Sequence, residues 1–170
     1  MENNSNRINF KVGVAEEKNT RHLAKLIHEI LTEMSQYYKD EAIKTELRVY
    51  TADYIQKLIN NPDFLLFKAE VNKNIVGFQI VSIYQTLAYL EWSGVHPDYR
   101  RQGIGRALKS LTEEYLLKNR PDVHKIWCDT RVTNTPSIKN LLKNGYQISA
   151  LLRKHWFGED YYLYEKIIRP

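Results

Sequence analysis

Cysteine is nearly absent from this sequence, since Cys128 is the single cysteine among 170 residues. One cysteine excludes a disulfide within the chain and any metal cage built from several cysteines, and it fits a reducing compartment. Glycine and proline are also scarce, at seven and five residues, which argues against a collagen-like or low-complexity chain. No apolar run approaches the roughly 18 residues that a membrane helix needs. The polar start, MENNSNRINF, is not typical of a secretory signal, so we expect a cytoplasmic protein without a membrane partner.

The residues that are present are typical of one globular domain. Hydrophobic residues make up 43% and charged residues 26%, a balance that supports a buried core. No repeat or Pro/Gly/Ser-rich linker divides the chain, so we expect one domain over residues 1–170 with roughly the first six residues flexible. The formal charge of +5 suits an anionic ligand such as a phosphate, a charged cofactor or a nucleic acid. A mildly basic solvated surface explains the same charge, so the charge selects none of these ligands.

Hydrophobic periodicity predicts a mixed sheet covered by helices. Apolar residues alternate with polar ones or form short apolar runs, as in strands, over residues 7–15, 64–71, 75–84, 87–95, 124–130, 148–156 and 160–168. Apolar residues recur at three- and four-residue steps, as in helices, over residues 20–34, 52–60, 103–118 and 135–144. Seven strands and four helices in this order indicate an α/β domain.

The turn within residues 95–108, VHPDYRRQGIGRAL, is the most informative segment because it joins an apolar strand to an amphipathic helix. N–H groups at the start of a helix lack internal partners and lie at the positive end of the helix dipole. Gly103 and Gly105 let a ligand approach the backbone closely, and Arg100, Arg101 and Arg106 add positive charge. The turn therefore predicts an anion site. The alternative is a turn that uses glycine for conformational reasons only, and no dinucleotide-type or P-loop motif is present.

The same segment, together with Asn134 at the start of NTPSIKNLLKNGY and the order of the elements, resembles the GNAT family of N-acetyltransferases. The resemblance covers nearly the whole chain. It implies an α/β (α+β) fold whose mixed, mostly antiparallel central sheet of about seven strands is flanked by about four helices. It also implies acetyl-CoA as co-substrate, no metal, and transfer of the acetyl group to a primary amine of a small molecule, peptide or protein in a ternary complex. Dimers are common in the family, so the resemblance leaves a homodimer open, although the sequence has no interface signal.

The resemblance also implies which residues bind the co-substrate. In the family, the R-x-x-G-x-G loop and the following helix bind the CoA diphosphate, mostly through main-chain N–H groups. Transferred by position, this loop comprises Arg100, Arg101, Gln102, Gly103, Ile104, Gly105 and Arg106. The strand before the loop is splayed and pairs with the pantetheine arm, which implies Ser93 and Val95, with a bulge expected at Gly94. In the family, the asparagine after the next strand commonly contacts the cofactor, and the resemblance implies this role for Asn134.

Glu91 is the candidate general base. Amines of the lysine type have a pKa near 10.4 and are mostly protonated at neutral pH, so a carboxylate that removes the proton directly or through water would assist the reaction. Glu91 lies in an apolar strand, and strict alternation places its side chain on the same side as Ser93 and Val95 unless a bulge intervenes. The alternative is an edge-facing or salt-bridged glutamate. A main-chain N–H between Ser93 and Val95 is the expected donor to the thioester carbonyl oxygen.

The proton donor to the departing thiolate is left unassigned by the sequence. Many members of the resembling family place a tyrosine in the helix after the asparagine, but that position is Leu141 here. A thiol pKa near 8.5 makes the thiolate a tolerable leaving group without such a donor. Cys128 lies in an apolar strand and is expected to be a small buried group rather than a nucleophile. Tyr146 is expected in the core.

Two other functions remain open from the sequence. Leu141 raises the alternative of a CoA-binding or acyl-CoA-binding domain with little or no turnover, which free CoA thiol released from acetyl-CoA and an amine would exclude. The basic balance raises nucleic-acid binding, which predicts salt-sensitive association, although no helix-turn-helix or RNA-binding signature supports a nucleic-acid partner. The identity of the acceptor depends on residues 37–54 and on the C-terminal strands, which have no recognisable motif.

Overall fold

A seven-stranded sheet forms the centre of the computed structural model, which describes residues 8–169. The strands are β1 (Lys11–Val14), β2 (Phe64–Val71), β3 (Asn74–Tyr84), β4 (Leu87–Val95), β5 (Lys125–Arg131), β6 (Gln147–Leu152) and β7 (Tyr161–Ile167). Their spatial order is β1-β2-β3-β4-β5-β7-β6, and of the six neighbouring pairs only β4 with β5 is parallel. The predicted mixed, mostly antiparallel sheet is confirmed. The expected flexible start concerns residues outside the described ones.

Five α-helices accompany the sheet within residues 8–169. They are α1 (Thr20–Glu33), α2 (Asp40–Val49), α3 (Ala52–Ile59), α4 (Ile104–Asn119) and α5 (Thr135–Lys143). Four of them match the predicted helices, and α2 is additional. The sequence analysis missed α2, in which Ala42 and Ile43 are buried and Leu47 packs against the core, so its apolar face is short rather than absent. None of the helices in the described part of the chain is both long and apolar enough to cross a membrane.

The first strand is shorter than the predicted span of residues 7–15. Lys11 pairs with Glu70 on β2, and β2 ends one residue later at Val71. The chain before Lys11 therefore has no strand to pair with. Ile8 and Phe10 still pack against the core without joining the sheet, while residue 7 lies outside the described residues.

Two hydrophobic layers cover the faces of the sheet. One joins the sheet to α4 and α5 and includes Leu108, Cys128, Leu141 and Tyr146, which confirms the predicted core position of Tyr146. The other joins the sheet to α1 and α3 and is formed by residues such as Leu23, Ile27, Ile30, Ile55, Phe78 and Ile80. Each strand of the centre thus places alternate side chains in opposite layers.

The parallel strands β4 and β5 separate after a short paired segment. Their partners are Leu87 with Lys125, Ala88 with Ile126, and Tyr89 with Trp127. Beyond these residues β4 continues to pair with β3, and β5 continues to pair with β7. We call the resulting gap, bounded by residues 90–95 of β4 and 128–131 of β5, the fork.

A β-bulge lies at Glu91 rather than at Gly94, where the sequence predicted it. Ile80 on β3 faces Trp92 and the next residue, Val81, faces Leu90, so Glu91 has no partner in the ladder. Gly94 is regularly paired with Phe78. A glycine is needed there for packing instead, because a Cβ at position 94 would lie 2.7 Å from Cγ2 of Ile30 on α1.

Adding that one carbon should destabilise the protein. We expect Gly94→Ala to lower the free energy of unfolding by about 1–3 kcal/mol, because α1 must shift away from β4 to accommodate the methyl group. Gly13→Ala on β1 is the matched control, since no atom lies within 4 Å of its added Cβ, and it should change stability by less than about 0.5 kcal/mol. Urea unfolding of both variants measures the difference. Equal stabilities would contradict the close packing of α1 on β4.

Candidate active site

A cleft of about 500 Å³ runs through the fork. Its walls come from β4, β5, α4, α5 and the segment between α1 and α2. Six of the residues that the sequence analysis singled out line it together: Glu91, Ser93, Val95, Arg100, Gly105 and Asn134. The structure therefore brings the predicted base, the splayed strand, the glycine turn and the asparagine to one place.

The turn before α4 has a row of backbone N–H groups without backbone acceptors in the described chain, and Arg100 and Gly105 of this turn line the cleft. Arg101 and Gly103 have φ values of 61° and 88°, in the left-handed region, and these turn the chain into the helix. The first bond of α4 runs from Ala107 N to Gly103 O at 3.0 Å, and in the described chain the N–H groups of residues 101–106 donate to no backbone carbonyl. Consecutive free N–H groups at a helix start form an anion site.

Several predicted loop residues do not line the cleft. The Ile104 side chain is buried in the core, and Gly103 and Arg106 lie along a separate shallow groove next to Val12 of β1. Neither Arg101 nor Gln102 has a side chain among those that line the cleft. The binding role of the main-chain N–H groups of this loop therefore stays a prediction.

Arg100 is occupied by the protein itself. Its guanidinium donates to Glu33 Oε1 on α1 at 2.6 Å and to the Val95 carbonyl at 2.9 Å, and its N–H donates to the Pro97 carbonyl at 3.2 Å. These bonds tie the turn to the end of α1 and to the end of β4. Arg100 thus holds the turn in position beside the cleft.

The bulge sets the direction of Glu91. Ser82 Oγ donates to Glu91 Oε1 at 2.5 Å, and Ser82 lies on the sheet face covered by α1 and α3. Ser93, by contrast, faces Gln79, whose amide binds Thr112 on α4. The expectation that Glu91 shares a face with Ser93 is therefore wrong, because the extra residue shifts the alternation along β4. Burial raises the pKa of the Glu91 carboxyl, against the lowering effect of the Ser82 hydrogen bond.

Asp129 on β5 is a second carboxylate in the cleft, and the sequence analysis did not single it out. It accepts a hydrogen bond from the Tyr89 hydroxyl at 2.5 Å, and His155 Nε2 lies 3.6 Å from its Oδ2. The negative charge of Asp129 also contributes to the raised pKa of Glu91. Strand alternation gave no signal for it, because alternation places Asp129 on the sheet face opposite to the buried Cys128 and Thr130.

Gln79 and Tyr38 are further polar residues that line the cleft. Gln79 is fully buried, and its Oε1 has no hydrogen-bond partner among the described residues. Tyr38 enters from the segment between α1 and α2, and its hydroxyl lies 3.2 Å from both Thr130 Oγ1 and Asn134 Nδ2. A buried acceptor without a partner is costly, so the Gln79 carbonyl fits a ligand that brings an N–H group into the fork.

Two other sequence expectations concern the wall of the cleft between β5 and α5. Burial raises the pKa of the Cys128 thiol to about 12, so this cysteine is protonated at neutral pH and does not act as a nucleophile. Leu141 is buried and lines the cleft. The apolar side chain of Leu141 therefore faces the cleft but offers no proton.

The fold and the cleft suit an extended molecule with an anionic end, lying between two parted strands. The chain belongs to the Acetyltransferase (GNAT) family, which matches its residues 27–146. This confirms the resemblance read from the glycine turn, Asn134 and the order of the elements.

Individual relatives agree with this assignment. The [ribosomal protein bS18]-alanine N-acetyltransferase of Escherichia coli is 29% identical over 97 residues, which are 57% of this chain and 64% of that protein. PaiA N-acetyltransferase from Thermoplasma acidophilum, solved with coenzyme A, has a TM-score of 0.81 at 19% identity over 94% of this chain and 99% of its own. Spermidine N-acetyltransferase from Vibrio cholerae, solved with CoA and spermine, has a TM-score of 0.71 at 17% identity over 93% and 95%. The two structures support the fold.

Proposed function

We propose that the protein transfers the acetyl group of acetyl-CoA to a primary amine by direct attack in a ternary complex. The observation that carries this proposal is the fork itself, with free N–H groups of the α4 turn at one end and two carboxylates farther in. Membership of the GNAT family supports it, and so do neighbouring structures that contain coenzyme A.

The residues of this chain fit acetyl-CoA. The N–H groups of residues 101–106 would bind the diphosphate, where the helix dipole also favours negative charge. The backbone of Ser93 and Val95, left without a partner strand on the β5 side, would pair with the amide groups of the pantetheine arm. The unpartnered Gln79 carbonyl and the Asn134 amide add a buried acceptor and a donor along the same path.

Glu91 would remove the proton of the attacking amine. A base must be ionised to act, and a pKa raised by burial makes its carboxylate a stronger proton acceptor at neutral pH. A main-chain N–H near Ser93 to Val95 would donate to the thioester oxygen as negative charge develops there. Asp129 is the second candidate base, because it lines the same cleft and, among the described residues, accepts a hydrogen bond from the Tyr89 hydroxyl alone.

The acceptor side of the cleft is aromatic and acidic. Trp92, Trp156 and Tyr161 surround Tyr38, and Trp92 Nε1 donates to Glu46 Oε2 on α2 at 2.9 Å. Such a lining suits an amine, which carries positive charge until it loses its proton. The V. cholerae structure contains spermine and the E. coli relative is named for an alanine of a ribosomal protein, so the proposal covers small-molecule, peptide and protein amines.

The central test is release of CoA thiol from acetyl-CoA by the purified protein with a panel of amines. The panel includes polyamines, lysine-containing peptides and peptides with a free N-terminal alanine. We expect thiol release that depends on both protein and amine. Tight CoA binding without release across the panel would instead support a CoA-binding domain without turnover.

A larger side chain at the glycine turn should weaken co-substrate binding. We expect Gly105→Val to reduce CoA affinity about 10- to 100-fold, because it holds the diphosphate away from the free N–H groups and so removes one or two hydrogen bonds to a charged group. The nearest atoms to an added Cβ are 3.7 Å and 3.9 Å away, so the fold should tolerate it. Ala107→Val introduces the same side chain in the same helix, beside the other groove, and should leave affinity unchanged. Calorimetric titration with CoA compares the two, and equal affinities would contradict the assigned diphosphate site.

Removing the charge of Glu91 should slow the reaction without affecting the co-substrate. We expect Glu91→Gln to lower kcat about 100-fold or more and to leave CoA affinity intact. The wild-type rate should fall as the pH is lowered, because protonation of Glu91 removes the base. This fall should occur at a pH above the ordinary glutamate range, since the pKa of Glu91 is raised. The rate of the variant should not show this fall. Glu29→Gln, on the exposed side of α1, is the control. If Glu91→Gln keeps the wild-type kcat and the fall of the rate at acidic pH, Glu91 is not the base. Asp129→Asn would then be expected to lower kcat and to abolish that fall.

A further inference from the structure

Tyr38 crosses the fork from the acceptor side. Its ring packs against Trp92 of β4 at a centroid distance of 5.6 Å and against Tyr161 of β7 at 6.2 Å. Its hydroxyl reaches Thr130 of β5 and Asn134 at the start of α5. The side chain is 8% exposed, and Tyr38, Thr130 and Asn134 all line the cleft. The phenol therefore lies among the groups that border the path of the acyl thioester.

The hydrogen bonds fix the direction in which the phenol acts. Asn134 Oδ1 accepts the Ser137 N–H at 3.3 Å as the cap of α5, which turns Asn134 Nδ2 toward Tyr38. The Tyr38 oxygen thus accepts from Asn134 at 3.2 Å and cannot direct its own proton there. That proton points to Thr130 Oγ1 or into the cleft. The geometry makes Tyr38 a donor toward the fork.

The backbone around Tyr38 is held firmly. Arg131 Nη1 on β5 donates to the Tyr37 carbonyl at 2.7 Å. Lys39 Nζ donates to the Phe157 carbonyl at 3.0 Å and lies 3.1 Å from a Glu159 carboxylate oxygen. Contacts on both neighbours of Tyr38 fix the segment against β5 and the turn before β7. A donor that is positioned before the substrate arrives loses little reorganisation during the reaction.

We propose that Tyr38 donates its proton to the CoA sulfur as the thioester breaks, the role that Leu141 cannot fill. The amine nitrogen forms a bond to the carbonyl carbon, the C–S bond breaks with its electron pair going to sulfur, and sulfur takes the Tyr38 proton. The proton released by the amine passes through the base and water and restores the phenol, so the products are the amide and CoA thiol. This inference rests on the proposed acetyl transfer.

The other proton donors considered in the cleft, Cys128 and Lys109, suit protonation of the sulfur less well. The Cys128 thiol has a pKa of about 12, and its sulfur belongs to the core. Lys109 on α4 is buried and lines the cleft, and burial lowers the pKa of its amine against the raising effects of Cys128 and Glu113. No hydrogen bond in the described chain fixes the Lys109 amine. Burial raises the pKa of the Tyr38 phenol, so it carries its proton throughout the neutral range, and the same burial raises the proton affinity of the leaving thiolate.

The test compares Tyr38→Phe with Tyr162→Phe, which removes a hydroxyl from β7 outside the cleft. With an amine that the wild type acetylates, we expect Tyr38→Phe to lower kcat about 100-fold and to leave the KM for acetyl-CoA unchanged, while Tyr162→Phe keeps the wild-type rate. The double variant Tyr38→Phe/Leu141→Tyr should regain part of the rate, because Leu141 lines the same cleft and the variant returns a phenol to it.

A binding measurement without turnover separates proton donation from a structural role. At pH 9, where much of the CoA thiol is ionised, the wild type should bind CoA about tenfold more tightly than desulfo-CoA, as expected for a hydrogen bond to a charged sulfur. Tyr38→Phe should bind both equally. The proposal is overturned if Tyr38→Phe keeps the wild-type kcat, or if it keeps the preference for CoA. If the Lys109→Met variant loses activity while the separate Tyr38→Phe variant keeps the wild-type rate, Lys109 is the proton donor instead. A wild type that acetylates no amine would instead count against the proposed function itself.

Discussion

The parting of β4 from β5 is the constraint on which the site depends. Each strand remains bonded on its outer side, β4 to β3 and β5 to β7, while three paired positions hold the two strands together at one end. Beyond that end the inner edges carry N–H and C=O groups without strand partners. Backbone groups of this kind need partners when water is excluded. An extended ligand with its own amide groups, as proposed above, would satisfy them, and one sheet defect would then define the whole length of the site.

The surrounding sequence keeps the fork open and shapes it. The bulge at Glu91 increases the local twist of β4 and turns the carboxylate toward the acceptor side, away from Ser93. Gly94 lets α1 lie directly on β4, and the Arg100 to Glu33 pair joins the end of α1 to the turn before α4. Helix α1 therefore contacts both the end of β4 and the turn that follows it. The position of the free N–H groups relative to Glu91 follows from these contacts.

The part of the fold that local patterns encode could be predicted from the sequence. Strand β4 and helix α4 were expected nearly at their observed bounds, because period and glycine placement are properties of neighbouring residues. The bulge could not be predicted, since it depends on how β3 and β4 align. The same limit applies to Tyr38, whose hydroxyl meets Thr130 across 92 positions of the chain. The sequence analysis named the turn and the asparagine, of which Arg100, Gly105 and Asn134 line one cleft, and it missed the groups that reach this cleft only through tertiary contacts.

Leu141 and Tyr38 together determine which side of the cleft supplies a hydroxyl. Leu141 completes the apolar layer on α5, so a hydroxyl for the fork has to come from the opposite face. Tyr38 supplies it from the segment that also forms the aromatic acceptor wall with Trp92 and Trp156. The position of a phenol on α5 would not depend on the packing of that wall, whereas Tyr38 is itself one of the residues that form it. In the proposed reaction, the packing of the acceptor side would act directly on the hydroxyl at the thioester and would couple recognition of the amine to departure of the thiol.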